Sequence, residues 1–266
     1  MFPPQAIILA AGRGRRLGAL TRTRPKCLLR VGSRTLLEHQ LAALARHGIA
    51  RAAIVIGYGG EQVQQVGGTQ AEYIVNPRSA VTNSLYSLWL ARHLTYEGFL
   101  LLNADVLFHP ELLTRLLASP YPDALTVERR QRFDDEQMKV QLDGERVVAL
   151  SKQLDAGRAH AENVGVVKFS AAGARALFAK IGELLAAGAE CELCPFAFNA
   201  LAPHYPLHAV VINGIPWIEI DFVADLQRAR QEVLPSILAH DIARTPARTL
   251  GPASKLVNGP PADIEL

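Results

Sequence analysis

Short aliphatic runs alternate with helical stretches through the first half of the chain, and this alternation constrains the fold more than any other feature. Residues 5–11 (QAIILAA), 51–58 (RAAIVIGY) and 98–106 (GFLLLNADV) have the length and aliphatic content of buried strands. Residues 34–48 and 81–94 carry apolar side chains at helical spacing. Strands that alternate with helices pair in parallel through right-handed crossovers. The sequence therefore predicts an α/β fold around a mainly parallel sheet.

The pattern changes after Arg129, where strands follow one another. Residues 137–152 (QMKVQLDGERVVALSK) predict a hairpin that turns at Asp143-Gly144. Residues 163–170 (NVGVVKFS) and 207–214 (LHAVVING) predict further strands. We expect these strands to cover one face of the sheet.

The chain carries no internal repeat and no low-complexity linker, so we expect one domain over residues 1–235. Its two halves would cover about 1–128 and about 129–235. Residues 236–266 are rich in Pro, Gly and Ala and lose periodicity, which predicts a loosely packed C-terminal tail.

The charge balance argues against a nucleic-acid-binding protein. Lys and Arg number 28 and Asp and Glu number 25, so the net charge of +3 is small and the basic residues before Arg34 are a local feature. The 3 cysteines are too few for a disulfide framework, and the two in Cys191-Glu192-Leu193-Cys194 lack the further ligands of a zinc site. With no signal peptide and no long apolar span, we expect a soluble cytoplasmic protein with no membrane partner.

A glycine-rich basic loop follows the first strand, which ends at Ala10. Gly12 and Gly14 would let backbone amides approach an anion and adopt positive φ. Four basic side chains add charge and donors: Arg13, Arg15, Arg16 and Lys26. Because ligands of open α/β sheets bind beyond the carboxyl ends of the strands, the loop predicts a polyphosphate site. Neither the Walker pattern nor a third glycine of a dinucleotide fingerprint is present, so a merely structural turn stays open as the alternative.

The stretch LAAGRGRRLGALTRTRPKCLLRVG (9–32) resembles the signature of the sugar-phosphate and alcohol-phosphate nucleotidyltransferases, which reads Leu-Ala-Ala-Gly-x-Gly-Ser/Thr-Arg-Leu, then Leu-Thr and Pro-Lys. NPRSAVTNSLYSLWLAR, LLNADVLFHPELL and WIEIDFVADLQRAR resemble the branch of bacterial-type phosphocholine, aminoalkylphosphonate and inositol-phosphate cytidylyltransferases. The resemblance runs from about Gln5 to Arg230. Arg15 departs from the usual Ser/Thr, Ala19 from a common Pro, and Ala104 from the usual Gly.

This resemblance implies a Rossmann-like three-layer fold with a mixed, mainly parallel sheet, a nucleotide-binding first half and a β-rich, acceptor-binding second half. It implies that Arg16 and Lys26 hold the triphosphate and are catalytic, although both could be solvated loop charges. Asn83 is the residue expected at the base or ribose, with an ordinary helix N-cap as the alternative. The nucleotide-binding set is Ala10, Ala11, Gly12, Arg13, Gly14, Arg15, Asn83, Ser84 and Asp105.

The resemblance also implies a Mg²⁺ ion bound by Asp105 and Asp221. Magnesium accepts two protein carboxylates, with phosphate and water as its other ligands. Each aspartate follows an apolar strand. Helix capping is the alternative role for both, whereas Asp225 is expected in the first turn of a helix.

The acceptor would be bound by the second half. Lys139 and Lys152 lie near opposite ends of the predicted hairpin, and the resemblance implies that their ammonium groups bind the acceptor phosphate. Lysines that protect an exposed strand edge are the alternative. Further residues could meet a cationic or hydroxylated acceptor tail, although an aromatic residue is more often part of the core: Glu162, Glu192, Trp217 and Glu219.

We therefore expect a Mg²⁺-dependent enzyme that transfers a nucleotidyl group, CMP from CTP in the favoured case, to a small phosphorylated alcohol, amine or phosphonate. A sugar-1-phosphate nucleotidyltransferase is the first alternative, and a non-catalytic nucleotide-binding regulator is the second. The sequence does not decide the oligomeric state, and a homodimer stays open.

Overall fold

The computed structural model describes residues 5–244, which form a nine-stranded sheet with helices on both faces. The strands are β1 Gln5–Ala10, β2 Arg30–Val31, β3 Arg34–Thr35, β4 Arg51–Ile56, β5 Ala71–Val75, β6 Gly98–Asn103, β7 Val106–Phe108, β8 Ala124–Arg129, β9 Lys139–Asp143, β10 Arg146–Ser151, β11 Ala161–Ser170, β12 His208–Val211 and β13 Trp217–Glu219. The helices are α1 Leu36–Arg46, α2 Gly60–Gly67, α3 Ser84–Leu90, α4 Glu111–Ala118, α5 Ala171–Ala186, α6 Cys194–Leu201, α7 Val223–Arg228 and α8 Leu234–Arg244.

The sheet is mixed and mainly parallel, as the sequence predicts. Its strand order is β5-β4-β1-β6-β11-β8-β12-β10-β9, and the first four strands pair in parallel. Within this sheet only β11 and β10 run against the other strands. The small ladders β2-β3 and β13-β7 lie outside it.

Alternating side chains of the central strands enter two cores on opposite faces of the sheet. Ile8 packs in a core with Leu37 of α1 and Leu112 of α4. Its neighbour Ile7 packs in a second core with Leu85 of α3 and with residues of α5 and α6. Because successive side chains of a strand point to opposite faces, a fully apolar strand supports two helical layers. The predicted three-layer α/β architecture is confirmed.

The strands of the second half extend the main sheet, and the expectation that they cover one of its faces was wrong. The cause is the length of β11, Ala161–Ser170. Val166–Ser170 pair with β6, whereas Ala161 and Glu162 pair with β9. The hairpin of β9 and β10 around Asp143-Gly144 is confirmed.

The chain is helical at residues 236–244, where the sequence predicts a loose tail. A π-helical turn (Ala229–Val233) joins α7 to α8, and Ile237 is buried in a small third core. His240 Nε2 lies 2.5 Å from Glu111 Oε2, and His109 Nε2 lies 3.2 Å from Asp241 Oδ1. These polar contacts hold α8 against the start of α4. Residues 245–266, the rest of the predicted tail, lie outside the described part of the chain.

Cys27, Cys191 and Cys194 are all free thiols. Among residues 5–244, no helix has both the length and the hydropathy needed to span a membrane.

Candidate active site

A cleft of about 460 Å³ opens where β1 and β6 end. β1 ends at Ala10, just before the glycine-rich loop, and β6 ends at Asn103, just before Asp105. The expected nucleotide-binding residues that line the cleft are Ala10, Ala11, Gly12, Gly14, Asn83, Ser84 and Asp105. Ligand binding at the carboxyl ends of adjacent parallel strands is the general rule for such sheets.

Gly14 is the glycine that the loop conformation requires. Its φ of 72° lies in the left-handed region, and a Cβ there would lie 2.9 Å from Lys26 Cβ. Gly12 does not adopt positive φ, which corrects the sequence expectation, and a Cβ at Gly12 would meet no atom within 4 Å. Its absent side chain leaves the cleft open at that point.

The turn after Gly14 directs Arg16 into the cleft. Thr21 Oγ1 donates to the Gly14 carbonyl at 2.8 Å, and Leu17 is buried beneath the turn. Arg16 lines the cleft, with Nη2 2.7 Å from Asp221 Oδ2. Arg13 and Arg15 are exposed, and neither is among the described residues that line the cleft. The sequence predicts that both arginines bind the nucleotide, but neither lies in the described lining of the cleft.

Lys26 is the buried cation of the site, with only 9% of its surface exposed. Its Nζ lies 2.8 Å from Asp105 Oδ2 and 2.6 Å from Asp221 Oδ1. Burial opposes the charge of Lys26, but these carboxylates outweigh burial and hold the pKa of Lys26 above its ordinary value. Burial alone would raise the pKa of Asp221, yet Lys26 and Arg16 hold that pKa below its ordinary value. Lys26 is thus a charged, fixed group, not a solvated loop lysine.

Strand pairing brings together acidic residues that are distant in sequence. β13 pairs with β7, which places Glu219 opposite Val106, and Ile220 N donates to the Asp105 carbonyl at 3.1 Å. One carboxylate oxygen from each of Asp105, Glu219 and Asp221 lies within 4.8 Å of the others. Glu219, expected at the acceptor, therefore belongs to a three-carboxylate cluster.

This cluster has the donor chemistry of a site for a hard divalent cation. Asp105 Oδ1 is buried and has no hydrogen-bond partner among residues 5–244. Burial, followed by the neighbouring charges of Asp105 and Asp221, raises the pKa of Glu219 to about 8. Three crowded carboxylates with one unpaired buried oxygen fit Mg²⁺, which prefers oxygen ligands.

Gln40 supports the turn that carries Asp105. Its side chain, 1% exposed on α1, donates through Nε2 to the carbonyls of Asn103 (2.8 Å) and Val106 (2.9 Å). These carbonyls flank Asp105 in sequence, so Gln40 fixes both ends of its turn. A glutamine on the apolar face of a predicted helix was the available sequence signal, but Gln40 was not among the predicted site residues.

Small polar side chains around Asn83 form another part of the cleft wall. Asn83 is the N-cap of α3, its Oδ1 accepting from Ser84 N at 2.9 Å, and it also lines the cleft. Ser84 Oγ accepts from Cys194 N at 2.9 Å, which ties this wall to α6. Further cleft-lining residues that the sequence analysis did not single out are Asn76, Ser79, Ser87, Asn103, Glu136, Met138, Asn163, Leu193 and Pro195.

The two lysines expected at the acceptor differ in position. Lys152 lines the cleft, and its Nζ lies 3.2 Å from Glu136 Oε2. Lys139 is buried and donates through Nζ to the Lys152 carbonyl at 2.7 Å. Lys139 is therefore absent from the described lining and supports the main chain of Lys152 instead. It is buried because β9 pairs with β10 on one side and with β11 on the other, so that β9 has no exposed edge at Lys139.

Three other expected acceptor residues lie away from the described cleft lining. Glu162 is buried in an ion pair with Arg130 at 2.5 Å and accepts from Gln137 at 2.8 Å. Glu192 is exposed beside the start of α6. Trp217 packs against the main core, which matches the alternative given for an aromatic residue.

A glycine-rich loop at the carboxyl end of β1, a buried lysine and clustered carboxylates line one cleft, which is an arrangement typical of nucleotide-binding α/β proteins. A family model described as MobA-like NTP transferase domain matches residues 6–194. The chain belongs to this family of nucleotidyltransferases, and the resemblance drawn from its sequence is confirmed.

Individual relatives match parts of the chain. A CMP-5'-(3-aminopropyl)phosphonate synthase of Streptomyces rubellomurinus is 38% identical over 49% of the chain, and a choline-phosphate cytidylyltransferase of Streptococcus pneumoniae is 33% identical over 44%. The matched segments span 22% and 52% of the length of these relatives. The solved inositol-1-phosphate CTP transferase from T. maritima shares the fold, with a TM-score of 0.70 and 22% identity, over 86% of this chain and 97% of that one.

Proposed function

We propose that this protein transfers CMP from CTP to a small acceptor that carries a phosphate or phosphonate group, and releases pyrophosphate. One observation carries the proposal. The carboxylate cluster lies in one cleft with cations from both halves of the chain, Lys26 and Arg16 from the first half and Lys152 from the second. Two anionic substrates that must meet at a metal ion need this distribution of charge.

The relatives support the choice of substrates. One is named for the synthesis of CMP-5'-(3-aminopropyl)phosphonate and the other for cytidylyl transfer to choline phosphate. Both names describe CMP joined to a small molecule through phosphorus. The clustered small polar residues around Asn83 offer donors and acceptors of the kind that read a pyrimidine edge.

The reaction would be an in-line displacement at the α-phosphorus of CTP. An oxygen of the acceptor phosphate or phosphonate forms a new bond to the α-phosphorus. The bond between the α-phosphorus and the oxygen that bridges the α- and β-phosphates breaks. That oxygen leaves with its electron pair on pyrophosphate. The acceptor oxygen is itself the nucleophile, so no protein nucleophile is required.

The side chains of the cleft would position and neutralise the two substrates. Lys26 would stabilise charge on the triphosphate and on the leaving pyrophosphate, and Lys152 would orient the acceptor anion. Arg16, which contacts Asp221 through Nη2 and Glu136 through Nη1, would contact both substrates. Asp105, Glu219 and Asp221 would hold Mg²⁺, which supplies further positive charge for the triphosphate. With the triphosphate bound, Lys26 would contact phosphate oxygens in addition to the carboxylates of Asp105 and Asp221.

A substitution of Lys152 tests the assignment of the acceptor side. Lys152→Ala should lower kcat/KM for a small phosphonate or phosphoalcohol at least about thirtyfold while the Kd for CTP changes less than about twofold. Lys180→Ala removes a partly exposed charge that pairs with Glu183 on α5, and it serves as the matched control. Equal losses of CTP binding and acceptor use would contradict the assignment.

A further inference from the structure

Glu136 occupies an unusual position for an acidic residue in an anion-binding cleft. Its Oε2 lies 2.8 Å from Arg16 Nη1 and 3.2 Å from Lys152 Nζ. Glu136 lines the cleft, yet it is not among the three carboxylates that could hold a metal ion. One carboxylate oxygen is thus held between two cations, one from each half of the chain.

The carboxylate of Glu136 can move away from Arg16 and Lys152 without movement of the main chain. Asp134 Oδ1 accepts from Glu136 N at 2.9 Å and from Gln137 N at 3.0 Å, which fixes the backbone between β8 and β9. The side chain of Glu136 is 58% exposed, and those of Arg16 and Lys152 are 45% and 29% exposed. Exposed ion pairs contribute little net stability, so an entering anion can displace this carboxylate.

Arg16 and Lys152 can bind a phosphoryl group through the nitrogen atoms that contact Glu136. Arg16 can donate through Nη1 while Nη2 stays on Asp221, and Lys152 acts as a point charge. A phosphate or phosphonate dianion carries more charge and more acceptor oxygens than a carboxylate. It can therefore bind both cations at once and replace the single shared oxygen of Glu136.

We propose that Glu136 occupies the acceptor's anion subsite when no acceptor is bound, and that it competes with the acceptor for Arg16 and Lys152. This inference rests on the proposed function for the identity of the acceptor. It assigns to Glu136 the role of a specificity-determining residue, because only an anion that outcompetes a carboxylate gains the site. Removal of this acid should therefore strengthen anion binding in the cleft.

The test is a titration of the full chain with methylphosphonate, which has no cationic tail that Glu136 could bind directly. Glu136→Gln should bind methylphosphonate about three to ten times more tightly than the wild type, on the scale of exposed ion pairs. Asp135→Asn removes the same charge from the neighbouring exposed residue and should leave the affinity unchanged. Lys152→Met should weaken binding, which locates the probe in this subsite.

Equal or weaker binding by Glu136→Gln, or no binding by either protein, would overturn the proposal. Pyrophosphate release from CTP and acceptors is measured separately on the same preparations. If release occurs and Glu136→Gln binds no more tightly, the role of Glu136 fails alone. If the affinities shift as expected but no acceptor supports release, the proposed function fails and the subsite stands.

Discussion

Replacement of Lys26 by methionine should destabilise the metal-free protein and make its stability depend strongly on Mg²⁺. Lys26 is the cation at hydrogen-bond distance from both Asp105 and Asp221. Methionine keeps much of the side-chain volume but leaves the two aspartates and Glu219 crowded without that charge. A bound divalent cation would restore the balance of charge.

The magnitude follows from the burial of the group. Removal of one partner from a fully buried ion pair costs about 3–5 kcal/mol. The side chains of Asp105 and Asp221 are 25% and 17% exposed, so we expect a smaller loss of about 2–4 kcal/mol after solvent screening. In a domain of this size, that loss lowers Tm by about 5–12 °C. Mg²⁺ at about a hundred times its Kd should return about 2.7 kcal/mol.

Urea unfolding with EDTA and with saturating Mg²⁺ measures both effects. The wild type should gain less from Mg²⁺ than Lys26→Met, because Lys26 already neutralises part of the carboxylate cluster. Lys168→Met is the matched control, since Lys168 is also buried but contacts the Ser119 carbonyl on another part of the molecule. If Mg²⁺ stabilises Lys26→Met no more than it stabilises the wild type and Lys168→Met, then Lys26 does not neutralise the carboxylate cluster.

Three further predictions concern the metal site and the packing of α8. Asp105→Asn or Asp221→Asn should lower turnover at least about a hundredfold with an unchanged circular dichroism spectrum, and near-normal turnover at saturating Mg²⁺ would exclude that residue as a ligand. Gln40→Leu should raise the Mg²⁺ concentration for half-maximal activity about tenfold, and a loss of stability without that rise would contradict its positioning role. Burial lowers the pKa of His109, so the unfolded chain binds the proton more tightly and the free energy of unfolding should fall as the pH drops below about 6.5. His109→Gln should flatten this dependence in urea titrations, and an unaltered slope would show that His109 is not its source.

Local patterns were sufficient to predict the central strands and the loops that border the cleft. An apolar run that ends in a glycine-rich basic stretch predicts β1 and its loop, and a second run predicts β6 with Asp105 beyond its end. Because parallel strands end at one edge of a sheet, these two features had to be neighbours. The position of Asp221 required the family resemblance, since the β13-β7 pairing that brings it there joins distant segments.

The second half was harder to predict because its side-chain environments depend on non-local strand pairing. Lys139 resembles an exposed strand lysine in sequence, but β9 pairs on both sides and buries it. Glu136 lies in an irregular exposed segment, where no periodicity indicates which way a side chain points. The start of the predicted tail is helical because Ile237 packs in the small third core. The local sequence around Ile237 does not reveal this contact.

The most direct test of the account is pyrophosphate release measured with each of the four ribonucleoside triphosphates against a panel of acceptors. The panel contains phosphocholine, 3-aminopropylphosphonate and inositol 1-phosphate, together with the 1-phosphates of glucose, mannose and N-acetylglucosamine. We expect CTP with one of the small acceptors to exceed every hexose 1-phosphate pair by at least about a hundredfold in kcat/KM, a difference of about 3 kcal/mol. A robust reaction with a hexose 1-phosphate, and none with the small acceptors, would contradict the account.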